Sequence, residues 1–389
     1  MAFNFELAQE LLERRNLDTT PYFAGRHWAI RQFDAALGES ERVGKQAVFR
    51  IYQGGPGCGK SSLVGRLRQI RSRGVLFVDA EKEHLASEEV LVERVRQTAV
   101  GAGPAGDEIA SSLQRGIRQR RLVQPVGNAW GDAFVDKVVP KTKVVLHMDE
   151  AHLIGQTEQP GLLCLHAYGL GVPVVCLFTG LGHTADRIGG VAGLTRLASN
   201  AVVNLGAMSE DECLESTSMM LDELGVGGDK TAAARMVGAL SNGWPQHLHC
   251  GQMALCRELL RTDGELGSVN DAAVRSESDR CSSAYYSRQF SGSVLAEWRD
   301  LTAGVVVRVQ EERPRTLPTL TKLCRNEFER RRLDKHPDFA MTPKEFAATL
   351  VERGVLSLTS NRQYHVAIPS IERWLRGRAR GTEPRDRSE

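Results

Sequence analysis

Eight consecutive residues, Gly54 to Ser61, constrain the fold of this chain more than any other part of its 389-residue sequence. Their order, Gly-Gly-Pro-Gly-Cys-Gly-Lys-Ser, matches the pattern GxxxxGK[ST]. The apolar run 47–52 precedes them and a helical pattern over 62–71 follows, which is the strand-to-helix context that the pattern requires. Such a turn folds backbone N–H groups around an anion and presents a helix N-terminus to it. The sequence therefore predicts a phosphate-binding loop in an α/β fold.

The side chains of this loop have distinct expected roles. Lys60 is placed to bridge β- and γ-phosphate oxygens, and the Ser61 hydroxyl is a suitable magnesium ligand. The glycines of the loop supply the conformational freedom that lets backbone N–H groups surround an anion. The predicted nucleotide-binding set is Gly54, Gly55, Pro56, Gly57, Cys58, Gly59, Lys60, Ser61 and Ser62.

Short apolar runs recur along the first half of the chain with helical patterns between them. Continuous apolar runs of this kind are typical of parallel strands that are buried on both faces of a sheet. The runs are residues 47–52, 75–79, 144–148, 172–178 and 201–205. We therefore predict a parallel five-stranded sheet within residues 1–207, with a helical insertion over about 81–143 because that segment is too long for one crossover.

Two carboxylates, Asp149 and Glu150, stand directly after the apolar run 144–148. Asp149 is suited to hold Mg²⁺ or its water, and Glu150 is suited to orient and polarise an attacking water. The tetrapeptide Asp-Glu-Ala-His from Asp149 to His152 also spells a helicase box, but no second strand–helix domain with an arginine-rich motif follows. Thr179, at the end of the run 172–178, is the candidate to sense a γ-phosphate or to position water.

The chain beyond residue 207 has helical patterns and a different organisation. Residues 208–261 predict three helices, the last beginning at Pro245, and residues 262–283 are polar and are predicted to be a linker. The sequence of residues 284–380 predicts helices followed by a two-stranded hairpin, which is the order of elements in a winged helix. Residues 381–389 are predicted to form a frayed tail. At the start of the third helix, either its N-terminus faces a nucleotide or Trp244 packs in the core. The sequence leaves both open.

Charge is distributed unevenly. Residues 281–389 hold 20 Lys and Arg against 14 Asp and Glu, whereas the rest of the chain holds 30 against 34. Basic residues beside a helix–hairpin unit predict contact with DNA phosphates, with a protein-docking surface as the alternative. The basic set is Arg325, Arg330, Arg331, Arg332, Lys335, Lys344, Arg353, Arg362, Arg373, Arg376, Arg378 and Arg380. The sequence has eight cysteines without a CxxC pair, and it shows no run of about 18 apolar residues and no secretory signal. We therefore predict a cytoplasmic protein without a membrane span.

The combination of the loop 54–61, Asp149-Glu150, Thr179 and the helical segment 208–261 resembles the AAA+ ATPases. Within them, it is similar to the branch of origin-recognition initiators and transposon target-selection ATPases. The sequence Phe-Ala-Gly-Arg at 23–26, followed by a helix, is similar to the adenine-side box of that family.

This resemblance implies Mg-ATP as the cofactor, ATP hydrolysis, self-association into a ring or filament, and action on DNA or a DNA-bound partner protein. It also implies Thr179 as a sensor-1-like residue and Arg196 as an arginine finger toward a neighbouring subunit, with Arg187 as the competing candidate. The third helix carries Gln246 and His247 where many relatives have a sensor-2 arginine. Signalling NTPases of the STAND class also combine a P-loop domain, a helical lid and a winged helix. The alternative is therefore a nucleotide-gated switch that acts through protein partners.

Overall fold

The computed structural model describes the chain with short gaps. The described residues are 2–13, 23–43, 47–104, 106–111, 142–158, 173–190, 194, 201–333, 339–358, 363–369 and 371–377.

A five-stranded sheet, parallel throughout, forms the centre of the N-terminal half. Its strands are β1 (Val48–Gln53), β2 (Val75–Asp79), β3 (Lys143–Met148), β4 (Val174–Gly180) and β5 (Val202–Asn204). Their order across the sheet is β2-β3-β4-β1-β5. All seven residues of β4 are buried, as a central strand covered on both faces must be. The predicted parallel sheet is confirmed.

The strand order decides where the functional groups meet. The loop after β1 carries Lys60, and the end of β3 carries Asp149; β4 lies between these two strands and ends near Thr179. Because all the strands are parallel, the three groups emerge at one edge of the sheet.

Helix α1 (Phe5–Glu13) packs on the helical region after residue 207, where Ala8 and Leu11 are buried. The helices on the two faces of the sheet are α2 (His27–Val43), α3 (Lys60–Ile70), α4 (Glu88–Ala99) and α5 (Thr184–Gly189). Helix α3 begins at the lysine of the phosphate-binding motif and buries Leu63, Val64 and Leu67. In the predicted insertion, the structure describes α4 and a short 3₁₀ helix, Lys82–Leu85, whereas most of residues 105–141 lie outside the described residues.

The three helices predicted after residue 207 are present. They are α6 (Glu210–Glu223), α7 (Thr231–Ser241) and α8 (Pro245–Arg261). A capping box begins α6, in which Ser209 accepts from the Glu212 N–H and the Glu212 carboxylate accepts from the Ser209 N–H. Pro245 occupies the first turn of α8, where a missing N–H carries no penalty.

The polar segment 262–283 is not the linker that the sequence predicts. Residues Asp271–Gln289 form a 19-residue helix, α9, which packs along α8. The Asn270 side chain caps it by accepting from the Ala272 and Ala273 N–H groups. Its buried stripe is narrow and includes Val274, Ser278 and Tyr286, so most of its surface is polar and hides the helical period.

The remaining elements form what we call the C-terminal unit, the described part of residues 294–377. Its helices are α10 (Val294–Glu297), α11 (Arg299–Glu312), α12 (Leu317–Arg331), α13 (Pro343–Glu352) and α14 (Ile371–Gly377). The strands β6 (Leu356–Leu358) and β7 (Tyr364–Val366) pair as an antiparallel hairpin after α13. The predicted helix-then-hairpin order is present; the winged-helix interpretation stays a prediction.

One hydrophobic core runs from the sheet into the C-terminal unit. It contains Phe33 from α2, Trp244, Tyr286 from α9, and Phe346 and Trp374 from the C-terminal unit. The rings of Tyr286 and Trp374 lie 5.7 Å apart between centroids. Among the described residues, no helix is both long and apolar enough to cross a bilayer.

Candidate functional site

A cavity of about 370 Å³ opens at the edge of the sheet where β1, β3 and β4 end. Parts of the sheet domain, of helices α6, α8 and α9, and of the C-terminal unit line it. The lining residues are Phe23, Ala24, Arg26, Pro56, Gly57, Cys58, Gly59, Lys60, Ser61, Ser62, Asp149, Glu150, His152, Leu181, Met208, Ser216, Pro245, Gln246, Leu248, His249, Gln252, Tyr285, Gln289, Glu352 and Arg353.

The predicted phosphate loop forms one wall of this cavity. Gly57 (φ 77°) and Gly59 (φ 87°) adopt the left-handed conformation that favours glycine. The Lys60 ammonium donates to the carbonyl oxygens of Gly54, at 3.0 Å, and Gly55, at 3.2 Å. The side chain therefore lies against the loop that precedes it, where a phosphate-binding lysine is needed.

The two acids stand opposite, at the end of β3. The Thr179 hydroxyl donates to Asp149 Oδ1 at 2.6 Å, and the Glu150 N–H donates to the same oxygen at 2.9 Å. Thr179 is itself buried and does not line the cavity. Its observed contact is therefore with the carboxylate that the sequence assigns to magnesium, and the sequence prediction of a direct role toward phosphate stays a prediction.

The Glu150 carboxyl is held by a neutral histidine. Burial, and next the charges of His183 and Lys60, lower the pKa of His152 to about 4. His152 Nδ1 accepts from the Leu181 N–H at 3.5 Å, which leaves the proton on Nε2, 3.3 Å from Glu150 Oε2. Partial burial, and next the charge of Asp149, raise the pKa of Glu150. Glu150 also has positive φ (50°), so the backbone turns sharply at this residue.

A series of hydrogen-bonded polar side chains extends behind Asp149. His147 joins Thr179 through Nε2 at 3.1 Å and Asp79 through Nδ1 at 2.8 Å. Asp79 also pairs with Arg68 of α3. The hydrogen bond from His147, and next the Arg68 contact, hold the pKa of Asp79 well below its usual range. The sequence did not predict this series of hydrogen bonds. The alternation of side chains along β3 was the available signal, but it does not identify a partner residue on another strand.

Arg26 has contacts that the sequence did not predict. It lines the cavity, and its place in an adenine-side box stays a prediction. Arg26 is buried, and its guanidinium donates to the carbonyl oxygens of Cys58, at 3.3 Å, and of Gly206. Its own N–H donates to Glu212 Oε1 at 2.7 Å. Arg26 therefore joins the phosphate loop to the start of α6.

Helix α8 begins beside the phosphate loop, and Trp244 packs in the core; that the helix N-terminus faces a nucleotide stays a prediction. The Trp244 indole N–H donates to the Pro56 oxygen at 3.1 Å while the ring is buried. The Gln246 N–H donates to the Gly57 oxygen at 3.0 Å. His247 points away from the cavity and bonds Tyr286.

Neither candidate arginine finger lines this cavity in the described part of the chain. Arg196 lies outside the described residues. Arg187 is exposed on α5. An arginine finger acts on the site of a neighbouring subunit, so it is not expected to line the cavity of its own chain. Both candidates therefore stay predictions.

The oxygens that face the cavity fit a magnesium ion bound together with phosphate. Mg²⁺ usually takes one or two protein oxygens and completes its shell with phosphate oxygens and water. Ser61 and Asp149 line the same cavity and supply such oxygens. Among the described residues, no group of three or more His, Cys, Asp or Glu side chains forms a separate metal site.

Neither a protein-family model nor a curated protein matches this sequence. Solved structures do resemble its fold. A Walker-type ATPase of Pyrococcus abyssi is 14% identical, with a TM-score of 0.54, over 94% of this chain and 99% of that one. The ORC2 protein of Aeropyrum pernix, solved in ADPNP–ADP complexes, is 11% identical, with a TM-score of 0.51, over 95% and 99%. The predicted P-loop AAA+ fold is confirmed.

Proposed function

We propose that this chain, which has the fold of the AAA+ ATPases, is a magnesium-dependent ATPase. The observation that carries the proposal is the convergence of Lys60, Ser61, Asp149 and Glu150 on one cavity. Phosphate binding alone requires the loop but not the two acids. Acids that only end a strand at the protein surface do not require a phosphate-binding loop beside them. Their occurrence together is the arrangement that phosphoanhydride hydrolysis uses.

Each residue has a role that its contacts support. Lys60 binds the β- and γ-phosphate oxygens and stabilises the charge that develops on the transferred phosphoryl group. Glu150, held by the His152 Nε2–H, orients the attacking water and accepts its proton. Thr179 fixes the orientation of Asp149. Ser61 and Asp149 would hold Mg²⁺, which would neutralise phosphate charge when bound.

Two variants test this assignment. Lys60→Ala should abolish ATP binding in calorimetry, and Glu150→Gln should bind ATP normally but lose turnover by at least a hundredfold, since it keeps the shape and removes the proton acceptor. Lys82→Ala, an exposed lysine outside the cavity, is the matched control and should behave like the wild type. Unchanged ATP affinity in Lys60→Ala would remove the phosphate-loop assignment, and normal turnover in Glu150→Gln would move the base elsewhere.

We further propose that ATP drives self-association and that the assembled protein acts on DNA or on a DNA-bound partner, in a cytoplasmic setting. Support comes from the charge of the C-terminal unit. Exposed basic residues on and around α12 and α13 have no salt-bridge partner among the described residues: Arg313, Arg315, Lys322, Arg325, Arg332 and Lys344. Such a surface favours contact with phosphate groups.

A specific observation also favours a second candidate, the nucleotide-gated switch. The C-terminal unit packs directly on the phosphate loop: a Cβ built at Gly55 would lie 3.1 Å from Ala367 Cβ. A nucleotide bound there would influence how this unit is held. Hydrolysis that continues over many turnovers and is stimulated by DNA supports the ATPase motor, whereas tightly retained ADP with no effect of DNA supports the switch.

A further inference from the structure

The end of α13 enters the gap between the phosphate loop and the loop after β4. Gly354, just beyond the helix, has φ +70°, and a Cβ built there would lie 2.7 Å from Pro56 Cδ and 2.8 Å from Leu181 Cδ2. Leu181 is in turn bonded through its N–H to His152, which contacts Glu150. The residues at the end of α13 therefore lie at the end of the cavity where the catalytic acid stands.

A second close approach fixes the hairpin of the C-terminal unit at the same place. A Cβ built at Gly182 would lie 2.5 Å from Ser357 Oγ, and the backbone at Gly55 meets Ala367. The unit therefore contacts both loops that surround the phosphate end of the cavity, one from β1 and one from β4. Such contacts leave little freedom in where Arg353, the residue before Gly354, is placed.

Three arginine or lysine side chains line the cavity in the described part of the chain. Two of them already donate hydrogen bonds to backbone oxygens. The Arg26 guanidinium donates to Cys58 and Gly206, and the Lys60 ammonium donates to the phosphate loop. Arg353, the last residue before Gly354, lines the cavity and has no carboxylate partner among the described residues. Its neighbour Glu352 lies close enough to His183 to act on the pKa of that histidine.

The helical segment 208–261 contributes no cation to this wall of the cavity within the described residues. Gln246, at the start of α8, is neutral. Burial lowers the pKa of His249 to about 4, so this ring carries no charge at neutral pH. The phosphate end of the cavity thus receives its additional positive charge from the C-terminal unit.

We propose that Arg353 binds the terminal phosphate of the nucleotide in the site of its own chain. A guanidinium matches the paired oxygens of a phosphate, and its exposed position lets it reach a ligand without first breaking an ion pair. Because Arg353 belongs to the C-terminal unit, a bound triphosphate strengthens the contact of that unit with the phosphate loop. This inference rests on the proposed nucleotide site.

The test compares ATP and ADP affinity in Arg353→Ala, Arg353→Lys and the wild type by calorimetry with Mg²⁺ present. A charged hydrogen bond to phosphate corresponds to a loss of about tenfold to a hundredfold in ATP affinity when it is removed. ADP affinity should fall less than threefold, and Arg353→Lys should recover part of the loss. Arg73→Ala, which changes an exposed arginine outside the cavity and outside the basic surface of the C-terminal unit, is the matched control.

The possible outcomes separate the two proposals. Wild-type protein that binds ATP while Arg353→Ala binds it equally well overturns this inference and leaves the ATPase proposal standing. Wild-type protein that binds no nucleotide overturns both. An equal loss of ATP affinity in Arg73→Ala would attribute the effect to general charge and would also overturn the role of Arg353. Equal melting temperatures of the apo proteins verify that the variants fold.

Discussion

At the scale of single residues, the hydroxyl of Thr179 holds Asp149, the carboxylate that we propose for magnesium. Thr179→Val keeps the shape and volume but removes the donor to Asp149 Oδ1. We expect ATP binding to persist and turnover to fall by about tenfold to a hundredfold, the usual effect of removing a partner of a metal ligand. Thr179→Ser, which keeps the hydroxyl, should retain most of the activity.

Steady-state hydrolysis as a function of Mg²⁺ concentration measures this prediction, together with the Mg²⁺ dependence of binding of a fluorescent ATP analogue. A higher Mg²⁺ requirement in Thr179→Val than in Thr179→Ser is the expected signature of a disoriented Asp149. If both variants show the wild-type Mg²⁺ requirement, Thr179 does not act through that carboxylate.

Asp79 gives a second residue-scale prediction, on stability. Its contacts with His147 and Arg68 lower its pKa, so its contribution to stability is full above the unfolded-state pKa of about 3.9 and declines as pH falls below that value. Asp79→Asn should destabilise the protein by about 0.5–1 kcal/mol at pH 7, a small value because the carboxylate is 55% exposed. The difference should shrink toward pH 3.

Urea unfolding of Asp79→Asn and wild type at pH 7, 5 and 3.5 provides the measurement. Asp263→Asn is the matched control, since it changes an exposed aspartate that has no ion pair among the described residues. A difference between Asp79→Asn and wild type that stays constant from pH 7 to 3.5 would mean that the carboxylate charge is not what stabilises this site.

At the scale of secondary-structure elements, the junction of α13 with the phosphate loop depends on a glycine. Gly354→Ala introduces strain at φ +70° and places a methyl group 2.7 Å from Pro56 Cδ. Gly228→Ala introduces a comparable strain at φ +82° with no atom within 4 Å. We expect Gly228→Ala to lower the free energy of unfolding by about 1 kcal/mol and Gly354→Ala by about 1–3 kcal/mol more.

Thermal unfolding with and without ATP measures both effects. Gly354→Ala should also weaken ATP binding, because the overlap moves the C-terminal unit away from the cavity, whereas Gly228→Ala should leave ATP affinity unchanged. Equal losses of stability in the two variants, with equal ATP affinity, would show that α13 adapts without leaving the phosphate loop.

The elements themselves show which parts of the fold the sequence could predict. Strand β2, Val75–Asp79, and helix α8, Pro245–Arg261, agree with their predicted bounds, because each carries its own pattern of apolar residues and end signals. Helix α9 could not be recognised, since its buried stripe includes Ser278 and its outer surface is polar. The local pattern of apolar residues therefore predicted the elements that have a wide apolar face and missed helix α9, whose apolar face is narrow.

At the scale of the whole molecule, the sequence predicted candidate site residues that line one cavity, but not how distant parts of the chain meet around them. Lys60 and Asp149 could be placed together because parallel strands end at one edge of the sheet. Nothing local indicates that Gly354 packs on Pro56, about 300 positions earlier, or that Arg26 joins Cys58 to Glu212. Those contacts depend on side-chain packing between units, which periodicity does not encode.

The last prediction concerns assembly, which only several copies of the molecule can show. If Arg196 completes the site of a neighbouring subunit, Arg196→Ala should bind ATP but lose hydrolysis, while Arg187→Ala should retain it. An equal mixture of Arg196→Ala and Glu150→Gln should regain about a quarter of wild-type activity, since half the acceptor sites keep Glu150 and half of those meet an intact finger. Hydrolysis measured across protein concentrations, with sizing in a slowly hydrolysed ATP analogue, gives the readout. A mixture as inactive as its components would exclude Arg196 as a finger acting between subunits.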